Sequence, residues 1–396
     1  MGKGLLLLNG FNFNRLNCPD RLFFYLWTVG TVKIQSIKKY IQEIMLEFLP
    51  VKQDLETKEI LKKSISANRA LAILNETAKS VPNRFILINA LTLQEAKDSS
   101  EIENIITTHD ELYKADLDLK SATKGAKEVK DYQSALLQGV ELIKNGILSI
   151  NDIVKIQSIL ENNNAGIRTQ AGTKLKNDKT GEVIYEPPQN HQEIVKLLTN
   201  LEAYINEKND LDSLINMAII HYQFEAIHPF YDGNGRTGRI INILYLMLND
   251  LLDLPVLYLS GYIINHKAKY YQLLQEVHTK GNWQAWILYM LEAVEQTAKQ
   301  TTEVIYDIVS LMNEDKEIIK EKLPKIYSKD LVEALFNHPY TKIDFLVSEL
   351  NITRKTASKY LNDLEGIGLI ESVKIGRSKY FINHQLWYLL KDGVSV

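Results

Sequence analysis

Residues 228–239 read His-Pro-Phe-Tyr-Asp-Gly-Asn-Gly-Arg-Thr-Gly-Arg. This short run holds an imidazole, a carboxylate, glycines flanking an asparagine, and two arginines, a combination suited to phosphate chemistry. His228 can accept a proton near neutral pH. Asp232 offers the hard oxygen that Mg²⁺ prefers. Gly233 and Gly235 let backbone amides approach an anion closely. Arg236 and Arg239, three apart, line one side of a helical turn with charge. Together they describe a Mg²⁺-nucleotide site with a base placed to activate a hydroxyl.

Two helices must position this set. His221, Phe224, Glu225 and Ile227 form a helical pattern that runs up to His228, and Pro229 drives His228 out of the α region. Ile240, Ile241, Ile243, Leu244 and Leu246 to Leu248 mark a second helix. The glycine-rich part therefore sits at a helix N-terminus, where unpaired amides and the dipole favour anions. His221 lies two turns before His228, but helical metal pairs use i,i+4 spacing. It reads as a packed, hydrogen-bonded core histidine. Glu225-x-x-His228 is half of a di-iron pattern, and the other half is missing.

The run resembles the signature of the Fic (filamentation-induced-by-cAMP) family, His-Pro-Phe-x-[Asp/Glu]-Gly-Asn-Gly-Arg-x-x-Arg, without departure. The resemblance implies a protein adenylyltransferase that moves AMP from ATP to a Ser, Thr or Tyr hydroxyl, itself included. It implies His228 as base, Asp232 as Mg²⁺ ligand, and Gly233, Asn234, Gly235, Arg236, Thr237, Gly238 and Arg239 as ATP contacts. Tyr262, Tyr270 and Tyr271, just downstream, are expected to supply at least one wall of an adenine pocket; packing by an amphipathic helix is the other reading.

A second match lies upstream. Ser99, Glu103 and Asn104 fit the family's inhibitory pattern [Ser/Thr]-x-x-x-Glu-[Gly/Asn]. By that resemblance Glu103 pairs with Arg239 and takes the place of the ATP γ-phosphate. A carboxylate and a phosphate do compete for one guanidinium fork. Ser100 to Glu103 also reads as a capping box, in which the glutamate only satisfies a backbone amide.

The remainder organises around this centre. The expected fold is mainly α, a Fic-type helical core with a β-hairpin flap and a C-terminal winged helix-turn-helix. The expected divisions are an unassigned extension over 1–45, an N-terminal helical region with the inhibitory helix over 46–130, the Fic core over 131–300, a helical linker over 301–327, and the winged unit over 328–396. Ile167-Arg168-Thr169-Gln170 and Val183-Ile184-Tyr185 flank a polar loop containing Asp178-Lys179-Thr180-Gly181, and so predict a hairpin. In the family this flap lays the target segment over the nucleotide by backbone pairing. In the winged unit, Arg354, Lys355, Thr356, Ser358 and Lys359 would face outward, with Arg377 on the wing. Residues 353–378 are thus a DNA-binding expectation, although nine basic against eight acidic residues make a weak phosphate footprint.

Composition narrows the class. The chain has 396 residues, 45% hydrophobic and 24% charged, with a net charge of −3. That fits a soluble protein of two or three domains with no overall bias toward nucleic acid or membrane. Cys18 is the only cysteine, which excludes an intrachain disulfide and suggests a reducing, cytoplasmic compartment. The apolar run from Leu22 to Val32 is too short to span a bilayer. Other readings stay open: removal of AMP by the same site with Glu103 aligning water, a nucleotide-sensing DNA-binding regulator, and a homodimer.

Overall fold

The computed structural model describes residues 46–117, 122–176, 181, 183–375 and 378–392. The extension expected over 1–45, hairpin residues Asp178, Lys179 and Thr180, and Arg377 lie outside them. In chain order the elements begin α1 (Lys58–Ala78), α2 (Arg84–Ile102), α3 (His109–Leu117), α4 (Lys124–Leu142) and α5 (Ile150–Leu160). Strands β1 (Leu175–Lys176) and β2 (Val183–Tyr185) come next. They are followed by α6 (His191–Asn206), α7 (Ser213–Ile227), α8 (Asn234–Leu248), α9 (Leu259–Asn265), α10 (Lys267–Lys280) and α11 (Trp283–Lys322). The C-terminal unit contains α12 (Lys329–Asn337), β3 (Tyr340–Thr341), α13 (Ile343–Leu350), α14 (Arg354–Gly366), β4 (Glu371–Ile375), β5 (Ser378–Ile382) and α15 (His384–Asp392).

Helix α7 is the axis of the core. Leu214 to Phe224 are buried without interruption, along with Ala226 and Ile227. A helix without a polar face belongs in an interior. Asp212 starts it by accepting from the Leu214 N–H at 2.9 Å. α8 packs against α7 and also touches α4 and α5. Gly139 makes the α4 contact possible, since a Cβ there would meet a Leu244 methyl at 2.7 Å. On another side α11 lies along α1 and meets α7. There Trp286 Nε1 donates to the Ala218 carbonyl at 2.8 Å, and its ring stacks on His221. His221 Nε2 lies 2.7 Å from the Tyr270 hydroxyl and Nδ1 3.0 Å from the Asn242 amide, as a packed core histidine should.

The fold is mainly helical, as the pattern predicts, and three elements differ in detail. Residues 301–327, expected as a helical linker, begin inside α11, a single 40-residue helix with one face buried at positions from Trp286 to Ile319. The capping box is overturned. Asn83 starts α2 by accepting from the Phe85 N–H at 3.0 Å, so Ser100 falls in the last turn and Glu103 is the C-cap. The hairpin shifts register: Leu175–Lys176, not residues 167–170, pairs antiparallel with Val183–Tyr185. Arg168 instead donates to the carbonyls of Ile227, His228 and Pro229 at the end of α7 and to that of Pro188, and its segment lies outside the ladder.

The C-terminal unit places α12, α13 and α14 beside an antiparallel sheet of order β3-β5-β4, the elements expected of a winged helix. It touches both ends of the α2–α3 segment. Asn83 Nδ2 donates to Asn337 Oδ1 at 3.1 Å. Tyr340 donates to Asp110 Oδ1 at 2.6 Å and stacks on Tyr113. No helix among the described residues is long and apolar enough to cross a membrane.

Candidate active site

Four segments converge on the site: the end of α2, the end of α5, the α7–α8 loop, and the chain leading into the hairpin. Helix α2 stops in a defined way. The Ile105 N–H donates to the Ser100 carbonyl and the Asn104 N–H to the Glu101 carbonyl, each at 3.0 Å. That is a Schellman closure, which needs a left-handed residue after the C-cap. Asn104 supplies it at φ 64°. The preference for Gly or Asn after the glutamate thus has a backbone cause.

The closure places Glu103 against Arg239. Glu103 Oε1 accepts from Arg239 Nη2 at 2.8 Å. Ser99 accepts twice from the same guanidinium, through Oγ at 2.8 Å and its carbonyl at 2.9 Å. Arg239 is buried. Burial opposes its charge, yet the Glu103 carboxylate holds its pKa above the usual value. One turn before Ser99 on α2, Glu95 accepts from the Ser260 N–H at 2.9 Å and the Tyr132 hydroxyl at 3.2 Å. Burial pushes the Glu95 carboxyl up to about 7, against the Ser260 bonds and Arg239, which favour its charged form.

The α7–α8 loop forms the amide cradle. Gly233 is the N-cap of α8, left-handed at φ 78°. A Cβ on Gly233 would lie 2.3 Å from Glu161 Oε1, and one on Gly235 would lie 2.3 Å from Glu103 Oε1. Glu103 therefore rests against the first turn of α8, beside the amides an anion would use. Gly238 lets α8 approach α7, since its Cβ would meet Glu225 Oε1 at 2.8 Å. The Thr237 side chain is buried, and its N–H donates to the Gly233 carbonyl at 2.9 Å. Asn234 braces the loop: its amide accepts from the Phe230 N–H at 2.8 Å and donates to the Phe230 carbonyl at 2.9 Å.

Arg236 also has carboxylate partners. Nη2 meets Glu161 Oε1 at 2.7 Å, and Nη1 lies 3.6 Å from Glu128. Burial raises the Glu161 carboxyl, with Arg236 opposing. Asp232 is exposed at the mouth. Its Oδ1 accepts from the Gly233 N–H at 2.8 Å.

His228 leaves α7 in the left-handed region, φ 49° and ψ 59°, not in the extended region favoured before proline. Burial among its neighbours pushes the imidazole down to about 4, and the nearby Arg168 charge adds to the effect. The Glu225 carbonyl and the Glu103 and Asp232 carboxylates pull the other way. At neutral pH the ring is neutral and can accept a proton.

The three tyrosines separate. Tyr262 is buried and stacks on His266 at 4.1 Å. Tyr270 lies in the core with its hydroxyl on His221. Tyr271 is exposed and packs edge-on against Tyr270. Two residues at the site carry no local sequence signal. Glu161 is the C-cap of α5, just before the turn-rich run Asn162 to Gly166, and Arg168 belongs to a segment that reads as a strand.

Residues 61–141 match the Fic/DOC family N-terminal domain, residues 147–246 the Fic/DOC family domain, and residues 311–386 the C-terminal domain described as that of protein adenylyltransferase SoFic-like. A probable protein adenylyltransferase of Aquifex aeolicus is 27% identical over 195 residues, 48% of this chain and 56% of that protein. The protein adenylyltransferase Fic of Aedes aegypti is 33% identical over 108 residues, 26% of this chain and 19% of that protein. The chain thus spans about half the length of the first relative and a smaller part of the second. A Fic family protein of Desulfovibrio desulfuricans G20 shares the fold, with TM-score 0.55 and 18% identity over 85% of this chain and 98% of that one.

Proposed function

The chain belongs to the Fic/DOC family, and on that premise we propose that it transfers AMP from Mg-ATP to a Ser, Thr or Tyr hydroxyl of a protein and that Glu103 holds it inactive at rest. One observation carries the proposal: Glu103 Oε1 is bound by Arg239 at 2.8 Å while it rests on the Gly235 turn of the amide cradle. A carboxylate on a guanidinium at a helix N-terminus stands where a terminal phosphate would bind.

His228 accepts the hydroxyl proton as the hydroxyl oxygen attacks the α-phosphorus. The bond to the β-phosphate oxygen breaks and pyrophosphate leaves. The first amides of α8 hold the phosphates, and Arg236 and Arg239 neutralise charge that builds on the leaving group. Both arginines must first exchange a carboxylate for phosphate. Asp232 suits Mg²⁺ because it is an exposed carboxylate beside the cradle, and Mg²⁺ is commonly held by one or two carboxylates plus phosphate oxygens. When bound, the ion would supply further positive charge toward the phosphates.

ATP labelled separately at the α and γ phosphates tests the reaction. The α label should become protein-bound, more with Glu103→Gly than with wild type. Retention of the γ label alone would mean that another group moves. Self-modification is read from the same gel. DNA contact through residues 353–378 has less support, because Arg354 is engaged by Asp344, although Lys355 and Lys359 are exposed. A gel shift at stated salt tests it.

A further inference from the structure

We infer that Arg168 is a positioning residue that fixes the left-handed turn at His228 and, with Tyr185, ties that turn to the β1–β2 hairpin. The inference rests on the proposed AMP transfer for its activity readouts only.

The end of α7 leaves carbonyls without helical partners, at the negative end of the dipole. Two residues of the hairpin region meet four consecutive ones. Tyr185, the last residue of β2, donates its hydroxyl to the Ala226 carbonyl at 2.8 Å. Arg168 Nη2 reaches the Ile227 carbonyl at 3.4 Å, and Nε donates to the His228 carbonyl at 2.8 Å. The Arg168 N–H donates to the Pro229 carbonyl at 2.9 Å. Nη2 also bonds the Pro188 carbonyl, just past the hairpin. The Arg168 carbonyl pairs with His191 Nδ1 at 2.9 Å, which anchors the arginine to the start of α6.

The side chain is fully buried, and its hydrogen bonds among the described residues go to backbone carbonyls. Burying a guanidinium is costly without good partners. Here the partners are the carbonyl of the residue that bears the base, that of the residue before it, and that of Pro188. A non-glycine residue at φ 49° needs such support. The arrangement gives the arginine two effects on one imidazole. It sets the backbone that aims the ring, and its positive charge disfavours the protonated ring. The other charged groups acting on His228 are Glu103 and Asp232, with opposite sign. Because Tyr185 belongs to the strand, a segment paired along the hairpin is linked to the base through one residue.

The test uses the full chain in a Glu103→Gly background. Arg168→Gln removes the charge, Arg168→Lys keeps it without the planar fork, and Tyr185→Phe removes one hydrogen bond with no change in charge. For Arg168→Gln we expect kcat for α-label transfer to fall at least about tenfold, with ATP affinity by calorimetry changed less than about threefold. NMR titration of the His228 imidazole should move up by about one pH unit in Arg168→Gln and stay near its original position in Arg168→Lys and Tyr185→Phe. Tyr185→Phe should lower kcat alone. An unmoved imidazole titration together with an unchanged kcat in folded Arg168→Gln would overturn the inference. Should Arg168→Gln not fold, an unchanged kcat in both Arg168→Lys and Tyr185→Phe would overturn it. Absence of α-label transfer in the Glu103→Gly parent would overturn the functional reading instead, and the imidazole titration would still decide the role of Arg168.

Discussion

Glu103 and Arg239 meet at 2.8 Å across two helices, one carboxylate from the end of α2 and one guanidinium from the first turns of α8. Each is held by its own backbone device. The Asn104 closure presents the carboxylate, and Ser99 fixes the guanidinium with its hydroxyl and its carbonyl. The contact lies on the first turn of α8, so in the proposed function it would link the fold of α2 to access by nucleotide.

Glu103→Gly should therefore raise α-phosphate transfer. A charge-assisted hydrogen bond contributes roughly 1.5–3 kcal/mol, so at least about a tenfold gain in labelling is expected from removal of the competitor. Equal labelling of wild type and variant would remove the inhibitory role while leaving the enzymatic one intact.

The backbone at Asn104 gives an independent check. Asn104→Gly should keep the inhibited state. Asn104→Val should strain the left-handed position by about 1–2 kcal/mol and loosen Glu103 from Arg239. Chemical denaturation should register the stability loss, and labelling should rise part of the way toward that of Glu103→Gly. A fully inhibited Asn104→Val would show that the closure does not place the glutamate.

Gly235→Ala separates the two uses of the cradle. Its Cβ would fall 2.3 Å from Glu103 Oε1, so the carboxylate must move and the turn becomes less open to phosphate. ATP affinity should drop about tenfold or more even in the Glu103→Gly background, since the amides can no longer be approached closely. Unchanged calorimetric affinity in that double variant would place the phosphates elsewhere.

The pH dependence follows from His228. Its folded pKa is lowered to about 4 by burial and by Arg168, against an ordinary value near 6.5. Only the neutral ring accepts a proton. Its contribution to transfer should be present at neutral pH and lost as pH falls through about 4, not through 6.5. The unfolded chain takes up this proton first, so its linked effect on stability is a loss as pH falls from about 6.5 to about 4. His228→Ala should abolish transfer and leave ATP affinity nearly unchanged; a variant with undiminished transfer would remove the base assignment.

Much of this arrangement was legible in residue order because its parts are local. Pro229 ends α7, Gly233 starts α8, and the residues between them share one loop. Asn104 enters the sequence reading only through the inhibitory pattern, and the structure makes it the left-handed residue that ends α2. What was not legible comes from pairs distant in sequence. Glu161 reaches Arg236 from 75 residues away, and Arg168 reaches the His228 carbonyl from 60. Neither has a local pattern. The segment around Arg168 looks like a strand because strand propensity ignores a guanidinium with better acceptors elsewhere. Ser100 and Glu103 have capping-box spacing, but the helix they would begin had already started at Asn83. The Asn234 side chain, read as part of a phosphate contact, braces Phe230.

The most direct measurement is a crystal structure of Glu103→Gly with Mg²⁺ and a non-hydrolysable ATP analogue. The account predicts γ-phosphate oxygens on the Arg239 guanidinium, other phosphates on the amides of Gly233 to Arg236, and the His228 ring facing the α-phosphorus. A triphosphate bound away from Arg239, or an imidazole turned into the interior, would contradict it.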